Sequence, residues 1–304
     1  MDGLLVIDKP EGPTSHDVVA RVRRAIGEKR IGHTGTLDPS ASGVLPLVLG
    51  RATRLARFMS AAVKSYEAVV RLGIRTDSGD AAGQPIGALH PGPMPGREAI
   101  DRALDAFRGT FEQEAPAFSA KKIGGTPSYK LARRARRQGP SAAPAPDRKR
   151  CVVSTTVLDV MSLDGDLLGL RIECSAGFYV RALADELGER LGIGAHLATL
   201  RRTRSGDLSL ADAVRLDDVV ARPADAAARV VPLRRLLPQF GSVVLTADGV
   251  RRAASGCELG PSCCETAMPP SEPFIRLLSA GGDLVAIAEA GSAPGLLHPF
   301  VVLM

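Results

Sequence analysis

The chain has 304 residues, 45% of them apolar, and a formal net charge of +6 at neutral pH. This length predicts a sizeable core and two domains, because one core typically serves about 100 to 200 residues. The N-terminus lacks the pattern of a secretory signal peptide, and no run of about 18 apolar residues is present to span a bilayer. We therefore expect a soluble cytoplasmic protein that makes no membrane contact.

The N-terminal segment predicts a strand, a turn and a helix. Residues 3–7 form a short apolar run typical of a buried strand, and the Gly and Pro residues between 8 and 13 predict a turn. Ser15 is expected to cap a helix whose apolar residues from 18 to 26 follow helical spacing, and Gly27 is expected to end it.

Residues 32–45 hold the densest group of chemically active side chains, in the sequence Gly-His-Thr-Gly-Thr-Leu-Asp-Pro-Ser-Ala-Ser-Gly-Val-Leu. Pro39 pushes Asp38 towards an extended conformation, and the glycines allow backbone angles that other residues avoid, so Asp38 is held in place. Two interpretations are open from these residues alone. Asp38 bonds its own backbone in an Asx-turn, or it is a single positioned carboxylate in a pocket.

Helices and strands alternate through the rest of the first 240 residues. We predict helices at residues 52–59, 97–107, 180–191 and 216–221, and strands at residues 66–72, 152–160 and 167–174. Arg181 falls in the first turn of the helix that begins at residue 180. Beyond residue 240, short apolar segments alternate with Gly, Pro and Ser turns, which predicts a small, mostly β domain over residues 241–304.

Basic residues are concentrated in one window of the chain. Residues 121–150 hold ten Lys and Arg residues against Asp147, a net charge of +9, whereas residues 241–304 carry −3. A basic run is usually a solvated surface, but a window that exceeds the net charge of the whole chain favours a phosphate-binding footprint. We expect a mobile basic insertion at about residues 116–150 that projects from the first domain.

Motifs that define several enzyme classes are missing. The sequence contains no G-x-x-x-x-G-K-[ST] phosphate loop, no G-x-G-x-x-G dinucleotide fingerprint, no H-E-x-x-H zinc motif and no G-x-S-x-G hydrolase motif. The five cysteines include no C-x-x-C pair, so we expect reduced structural thiols and no metal site. What remains is a carboxylate-centred reaction without a cofactor on a charged polymer, or a binding module without chemistry.

Several segments resemble those of one known family. They occur in order from residue 3 to about residue 205: GLLVIDKP at 3–10, GHTGTLDP at 32–39, GVLPL at 43–47, KSY at 64–66, LG at 72–73, TDS at 76–78, GFYVR at 177–181 and LRR at 200–202. Together they are similar to the TruB family, tRNA pseudouridine synthase B. The resemblance implies an α/β (α+β) fold, in which a mixed, largely antiparallel sheet flanked by helices occupies residues 1–240 and a PUA-like domain occupies residues 241–304.

The resemblance also implies an activity, an isomerase that converts the uridine at position 55 of the tRNA T loop into pseudouridine. The expected partner is the T arm of tRNA, bound by a monomer without cofactor or metal. Asp38 falls on the catalytic aspartate of the family, Arg181 on the arginine that pairs with it, and Tyr66 on the tyrosine that packs against the target base. Other residues match substrate-binding positions: Lys9, His33, Tyr179 and Leu200. The basic insertion adds candidate phosphate contacts: Arg133, Arg134, Arg136 and Arg137.

This chemistry agrees with the residues present. Cleaving a glycosidic bond builds positive charge on the sugar, which an ionised carboxylate stabilises or attacks. Arg181 is suited to keep Asp38 ionised, and a stacking tyrosine offsets part of the few kcal/mol that flipping the base out requires. The sequence leaves open whether Asp38 attacks the sugar, attacks the pyrimidine ring or removes a sugar proton.

Structural alternatives remain open at the same positions. From its own pattern, Tyr66 is a strand residue in the core, His33 makes a loop hydrogen bond, and Leu200 is core. For the whole chain, one alternative is a tRNA-binding folding chaperone in which the loop of Asp38 is structural. Another is a pseudouridine synthase that acts on a different RNA, such as rRNA.

Overall fold

A computed structural model describes residues 1–116, 150–267 and 272–304, together with the backbone of two short strands at residues 122–123 and 126–127. The α-helices are α1 (Ser15–Ile26), α2 (Ala56–Ser60), α3 (Arg97–Leu104), α4 (Val180–Arg190), α5 (Leu216–Ala221), α6 (Pro223–Ala228) and α7 (Ala247–Ala254). The strands are β1 (Gly3–Lys9), β2 (Ile31–His33), β3 (Ala41–Leu49), β4 (Lys64–Leu72), β5 (Arg75–Thr76), β6 (Pro85–Ile86), β7 (Gly109–Glu114), β8 (Lys122–Ile123), β9 (Thr126–Pro127), β10 (Arg150–Asp164), β11 (Leu167–Cys174), β12 (Ala195–Ser205), β13 (Leu208–Ser209), β14 (Val214–Arg215), β15 (Val231–Pro232), β16 (Gly241–Val244), β17 (Ile275–Leu278), β18 (Leu284–Ala290) and β19 (Leu297–Val302). Short 3₁₀ helices lie at Gly50–Leu55, Asp105–Phe107, Leu210–Asp212, Leu233–Arg235 and Pro261–Cys263.

One large sheet organises the described part of the first 240 residues. Its strands follow the order β14-β1-β3-β12-β4-β11-β10-β7, with β2 paired to β3, β13 to β12 and β15 to β1. The β1–β14 and β3–β12 pairs are parallel, and the other pairs in this sheet are antiparallel. The predicted mixed, largely antiparallel sheet is therefore confirmed.

The two faces of the large sheet have different surroundings. Along β4, the buried side chains of Tyr66, Ala68 and Val70 alternate with the more exposed Glu67 and Val69, as the two-residue period of a strand requires. The buried side packs against α1, α3 and α4 in one apolar cluster, so the helices flank the sheet as expected. We call this side the Asp38 face, because the loop of Asp38 is hydrogen-bonded to it, and the other side the opposite face.

A smaller sheet, of order β16-β17-β18-β19, lies beyond residue 240. It packs against the opposite face of β1 and β3, where Leu4 and Val44 share an apolar cluster with Leu284 and Ile287. The C-terminal region is mostly β, as predicted. It also contains α7, a helix that the sequence analysis did not predict, whose Ala253 packs in the core of the small sheet.

The start of α1 corrects one expectation, because Thr14 is the N-cap and Ser15 is not. The Thr14 hydroxyl accepts a hydrogen bond from the Asp17 backbone N–H at 3.1 Å, and the Asp17 carboxylate accepts one from the Thr14 N–H at 2.9 Å. Ser15 is buried, and its hydroxyl both donates to the carbonyl and accepts from the N–H of Leu37, each at 2.9 Å. Gly27 ends the helix in a left-handed conformation, as predicted.

The basic insertion predicted at about residues 116–150 lies almost entirely outside the described residues. The same is true of its candidate phosphate contacts: Arg133, Arg134, Arg136 and Arg137. Within the described ranges, none of the helices combines the length and the apolar character needed to cross a membrane.

Candidate active site

Asp38 and Arg181 meet although 143 residues separate them in the chain. Asp38 lies in the loop between β2 and β3, and Arg181 lies in the first turn of α4. The Nε of Arg181 donates to the Oδ2 of Asp38 at 2.8 Å. The Arg181 side chain is only 4% exposed, whereas that of Asp38 is 36% exposed. The pair therefore presents a carboxylate to solvent while its cationic partner is enclosed by protein.

Backbone contacts fix the loop that carries Asp38. The Ala41 N–H donates to the Asp38 carbonyl at 3.1 Å, and the Gly12 N–H donates to the Pro39 carbonyl at 2.8 Å. Lys9, on β1, is fully buried, and its Nζ donates to the carbonyls of Pro39 at 3.3 Å and Ala41 at 2.6 Å. The structure thus places Lys9 beneath the loop, with its ammonium group directed at backbone oxygens.

A second carboxylate, Asp80, lies beside Arg181 and was not identified from the sequence. Its Oδ2 is 3.9 Å from the Arg181 Nε, and the Arg181 NH1 donates to the carbonyl of Ser78 at 3.0 Å. The hydroxyls of Ser78 and Ser40 donate to the Asp80 carboxylate at 2.5 and 3.4 Å. Residues 76–78 were quoted from the sequence as part of the family resemblance, and Asp80 lies just beyond them. The contact with Arg181 depends on how this segment packs against α4.

Gln113 positions the beginning of α4. This helix has no side-chain cap of its own, and its N-cap residue is Tyr179. The buried Gln113 side chain, on β7, accepts from the Tyr179 N–H at 2.8 Å and donates to the Tyr179 carbonyl at 3.0 Å. Because Arg181 follows two residues later, these two hydrogen bonds fix the backbone that carries the Arg181 side chain. The Tyr179 side chain is half-buried beside it.

Tyr66 and Leu200 lie on neighbouring strands of the Asp38 face. In the register of β4 and β12, Leu200 is opposite Ala68 and Arg202 is opposite Tyr66, so these side chains share one face. Tyr66 is 8% exposed and Leu200 is half-buried. Burial raises the pKa of the Tyr66 phenol, and the charge of Arg202 opposes that rise.

His33 ends β2 at the edge of the same loop. Its half-buried ring packs edge-to-face on His16, in the first turn of α1, with 5.4 Å between ring centroids. The Nδ1 of His33 is buried and has no hydrogen-bond partner among the described residues. Burial lowers the pKa of His33, and the charges of His16 and Arg202 lower it further, so these surroundings favour the neutral ring.

Two more buried cations lie under the site. Lys64, at the start of β4, donates its Nζ to the carbonyls of Ser60 and Ala62, both at 2.6 Å. Burial lowers the pKa of Lys64 to about 8, and it does the same for Lys9. Arg202 is 1% exposed and donates to the carbonyls of Val44 and Gly35. Lys64 and Arg202 fall in the segments KSY and LRR, and nothing in those segments predicted their burial.

The opposite face of the sheet has a different character. A groove of about 590 Å³ on this face is lined by residues that include Glu67, Arg171 and Arg201. The two arginines are paired, Arg171 with Asp159 at 2.7 Å and Arg201 with Asp8 at 2.9 Å. These charges neutralise one another in contact with water, so the groove offers no single activated group. In the described ranges, no group of three or more His, Cys, Asp and Glu residues is placed to hold a metal ion.

The large mixed sheet, which carries the Asp38–Arg181 pair on one face, has counterparts among solved structures. The chain matches a protein of the archaeal box H/ACA sRNP, solved as the Nop10-Cbf5 complex, with a TM-score of 0.71 and 25% identity over 99% of this chain and 86% of that one. A second fold match, at 23% identity, is to the H/ACA RNP bound to a substrate RNA containing 2′-deoxyuridine, with a TM-score of 0.72 over 99% of this chain and 85% of that one.

Two family models match successive parts of the sequence. TruB family pseudouridylate synthase (N terminal domain) matches residues 23–180, and the tRNA pseudouridylate synthase B C-terminal domain matches residues 181–243. The tRNA pseudouridine synthase B of Solibacter usitatus is 42% identical over 305 residues, which is 100% of both chains. That of Geobacillus kaustophilus is 43% identical over 242 residues, 78% of this chain and 83% of the relative. The chain belongs to the TruB family, and it is an isomerase that forms pseudouridine in tRNA.

Proposed function

We propose that this protein isomerises the uridine at position 55 in the T loop of tRNA. The observation that carries the proposal is the Asp38–Arg181 pair, in which an accessible carboxylate is held at 2.8 Å by a buried guanidinium group. A charge-assisted hydrogen bond of this kind both orients a carboxylate and favours its ionised form. The position of the pair beside Tyr66 and Leu200 gives the flipped base an aromatic and an apolar surface.

The reaction conserves every atom of the substrate. The bond between the ribose C1′ and the uracil N1 breaks, the base turns, and a new bond joins C1′ to C5, while the hydrogen of C5 is lost and N1 gains one. Asp38 supplies the negative charge that stabilises or attacks the electron-poor sugar. Arg181 holds Asp38 in one orientation, and Asp80 lies beside the same Arg181 guanidinium, so little reorganisation is needed as charge develops.

Substrate binding divides between the described site and the basic insertion. Tyr66 stacks on the everted base, Leu200 closes the apolar side, and His33 contacts the RNA next to the vacated position. Lys9 acts indirectly, because its buried ammonium group supports the loop of Asp38. Tyr179 contacts the substrate from its position at the N-terminal end of α4. The arginines of the insertion contact phosphates and supply affinity without reading sequence: Arg133, Arg134, Arg136 and Arg137.

At the level of the whole chain, we propose a cytoplasmic monomer. Residues 1–240 form the catalytic domain and residues 241–304 a PUA-like domain. The small sheet shares an apolar cluster with β1 and β3, which supports a fixed placement of this domain against the opposite face.

Mapping pseudouridine in tRNA after incubation with the purified protein tests the proposal. We expect modification at position 55 of intact tRNA and of an isolated T-arm hairpin, and none in rRNA fragments. Modification confined to rRNA fragments would instead support a synthase with another target.

The Asp38→Asn variant separates catalysis from a chaperone role. We expect it to bind tRNA as the wild-type protein does and to form no pseudouridine. The matched control is Asp159→Asn, which removes a carboxylate from the exposed pair with Arg171 on the opposite face and should retain full activity. Appreciable turnover by the Asp38→Asn variant would contradict the catalytic assignment and favour a structural role for the loop.

A further inference from the structure

We propose that Arg202 is a positioning residue of the reaction, which locks the Tyr66 side chain and the loop of Asp38 into one fixed relation. This inference rests on the proposed use of Tyr66 as the surface that holds the target base. It concerns a residue that does not itself touch the substrate, because its side chain is enclosed behind both groups.

The contacts of Arg202 join three separate parts of the chain. Its Nε donates to the Val44 carbonyl on β3 at 2.6 Å, and its NH2 donates to the Gly35 carbonyl in the loop of Asp38 at 3.0 Å. Arg202 also lies directly opposite Tyr66 in the pairing of β12 with β4, on the same face, and its positive charge opposes the rise in the Tyr66 pKa that burial causes. One residue that is hydrogen-bonded to the loop of Asp38 is therefore also the cross-strand neighbour of the aromatic ring.

The packing around Arg202 leaves it a single arrangement. The residue is 1% exposed. At Gly43, with φ of +102°, an added Cβ would lie 2.2 Å from the Arg202 carbonyl, and at Gly35 it would lie 3.4 Å from the Arg202 NH1. The two glycines thus let β3 and the loop approach the arginine closely. A side chain enclosed in this way cannot swing out to leave Tyr66 or the loop unsupported.

The chemistry of the partners argues against a merely structural role. Arg202 forms no ion pair with any carboxylate of the described residues, although removing a cation from water without a counter-charge is costly. An apolar side chain would fill the same volume at lower cost. The planar fork of arginine, in contrast, donates in several fixed directions at once, which lysine does not reproduce.

The neighbouring Arg201 is a matched control. It belongs to the same strand, but its side chain is 39% exposed and pairs with Asp8 on the opposite face. A substitution there changes the same residue type, one position away, without reaching Tyr66 or the loop of Asp38.

The test combines single-turnover rates of pseudouridine formation with tRNA affinity. We expect Arg202→Lys and Arg202→Met to lower the rate by about 100-fold, the loss that follows when reacting groups are misplaced by about 1 Å. The Kd for tRNA should stay unchanged, and Arg201→Lys and Arg201→Met should match the wild-type protein in both measurements. Rates that fall only in proportion to a loss of folded protein, followed by circular dichroism, would overturn the proposal.

A double-mutant cycle distinguishes positioning from general stability. If Arg202 acts partly through Tyr66, the rate losses of Arg202→Lys and Tyr66→Leu should be less than additive, with a remainder that reflects the loop of Asp38, whereas fully additive losses would overturn the proposal. A readout independent of catalysis uses phenolate absorbance, which is favourable because the chain has three Tyr and no Trp. The Tyr66 titration, assigned with Tyr66→Phe, should move to higher pH in Arg202→Lys. An unchanged titration would contradict the contact, even if position 55 proved not to be the target.

Discussion

Arg201 and Arg202 are adjacent in β12 but belong to two different environments. Arg201 is 39% exposed and pairs with Asp8, whereas Arg202 is 1% exposed and donates to the carbonyls of Val44 and Gly35. Successive side chains of a strand point to opposite faces of the sheet. Two adjacent arginines therefore have different surroundings and different roles. The two faces of the sheet as a whole differ in the same way.

On the Asp38 face, cations are buried and serve as fixed donors to backbone oxygens. Lys9, Lys64 and Arg202 all have this character. On the opposite face, charged side chains form ion pairs in water, such as Arg171 with Asp159, whose side chains are 58% and 49% exposed. Water and salt weaken such pairs, so the two faces should respond very differently to substitution.

The largest effect should come from Arg181→Met. Removal of the guanidinium group leaves Asp38 unoriented and Asp80, which is 11% exposed, without its cation. We expect the rate of pseudouridine formation to fall by about 1000-fold and the free energy of unfolding to fall by about 3 kcal/mol, measured by single turnover and urea titration. Arg190→Met, in the exposed pair with Glu186 on the same helix, is the control and should leave the rate unchanged.

Ser15→Ala should cause a smaller loss of stability and of reaction rate. The hydroxyl is buried and makes two hydrogen bonds with the backbone of Leu37, next to Asp38. Leaving the Leu37 groups unsatisfied should lower the free energy of unfolding by about 2 kcal/mol. The rate should fall as well, since the loop loses an anchor. Thr14→Ala, which removes the exposed N-cap, should cost about 1 kcal/mol and leave the rate unchanged.

The burial of Lys9 predicts that the stability of the protein rises with pH in the alkaline range. Burial lowers the pKa of Lys9 to about 8 from its usual 10.5. Between these values the unfolded chain binds more protons than the folded one, so the contribution of Lys9 to the free energy of unfolding rises with pH through this window and is constant below it. Urea titrations across the window should show a shallower rise for Lys9→Met than for the wild-type protein. The exposed Lys29→Met should follow the wild-type curve, and an equal slope for all three proteins would contradict the burial effect.

The smallest effect should come from Arg171→Gln on the opposite face. Breaking its exposed pair with Asp159 should change the free energy of unfolding by less than about 1 kcal/mol, and salt should reduce the difference further. The rate of pseudouridine formation should not change. A rate loss as large as that of a substitution on the Asp38 face would break the distinction between the two faces.

Local sequence patterns predicted much of the fold. The alternation of residues 66–72 lies within β4, and the helical spacing of residues 180–191 corresponds to α4. Period and turn chemistry are local properties, so a single sequence carries them. The cap of α1 was predicted one residue late, because Thr14 and Ser15 are equally suitable hydroxyls and the contact of Ser15 with Leu37 is made by a distant part of the chain.

Only part of the candidate site could be predicted from the sequence. Asp38, Tyr66 and Arg181 were identified because motifs carry them, and the structure brings Asp38 and Arg181 together. Asp80 and Gln113 were missed, since a polar turn and a strand amide give no signal until α4 packs against them.

The sequence by itself determined the secondary structure around the site, the family and the identity of the carboxylate, because these depend on short-range patterns and on motifs. Only the tertiary structure decided which charged residues are enclosed and which meet water. The sheet register and the closeness of β3 to β12 set that choice, and both arise from contacts between residues far apart in the chain. Arg201 and Arg202 are adjacent residues of the same type. The packing of the two faces makes Arg201 a solvated ion-pair partner and Arg202 a buried hydrogen-bond donor.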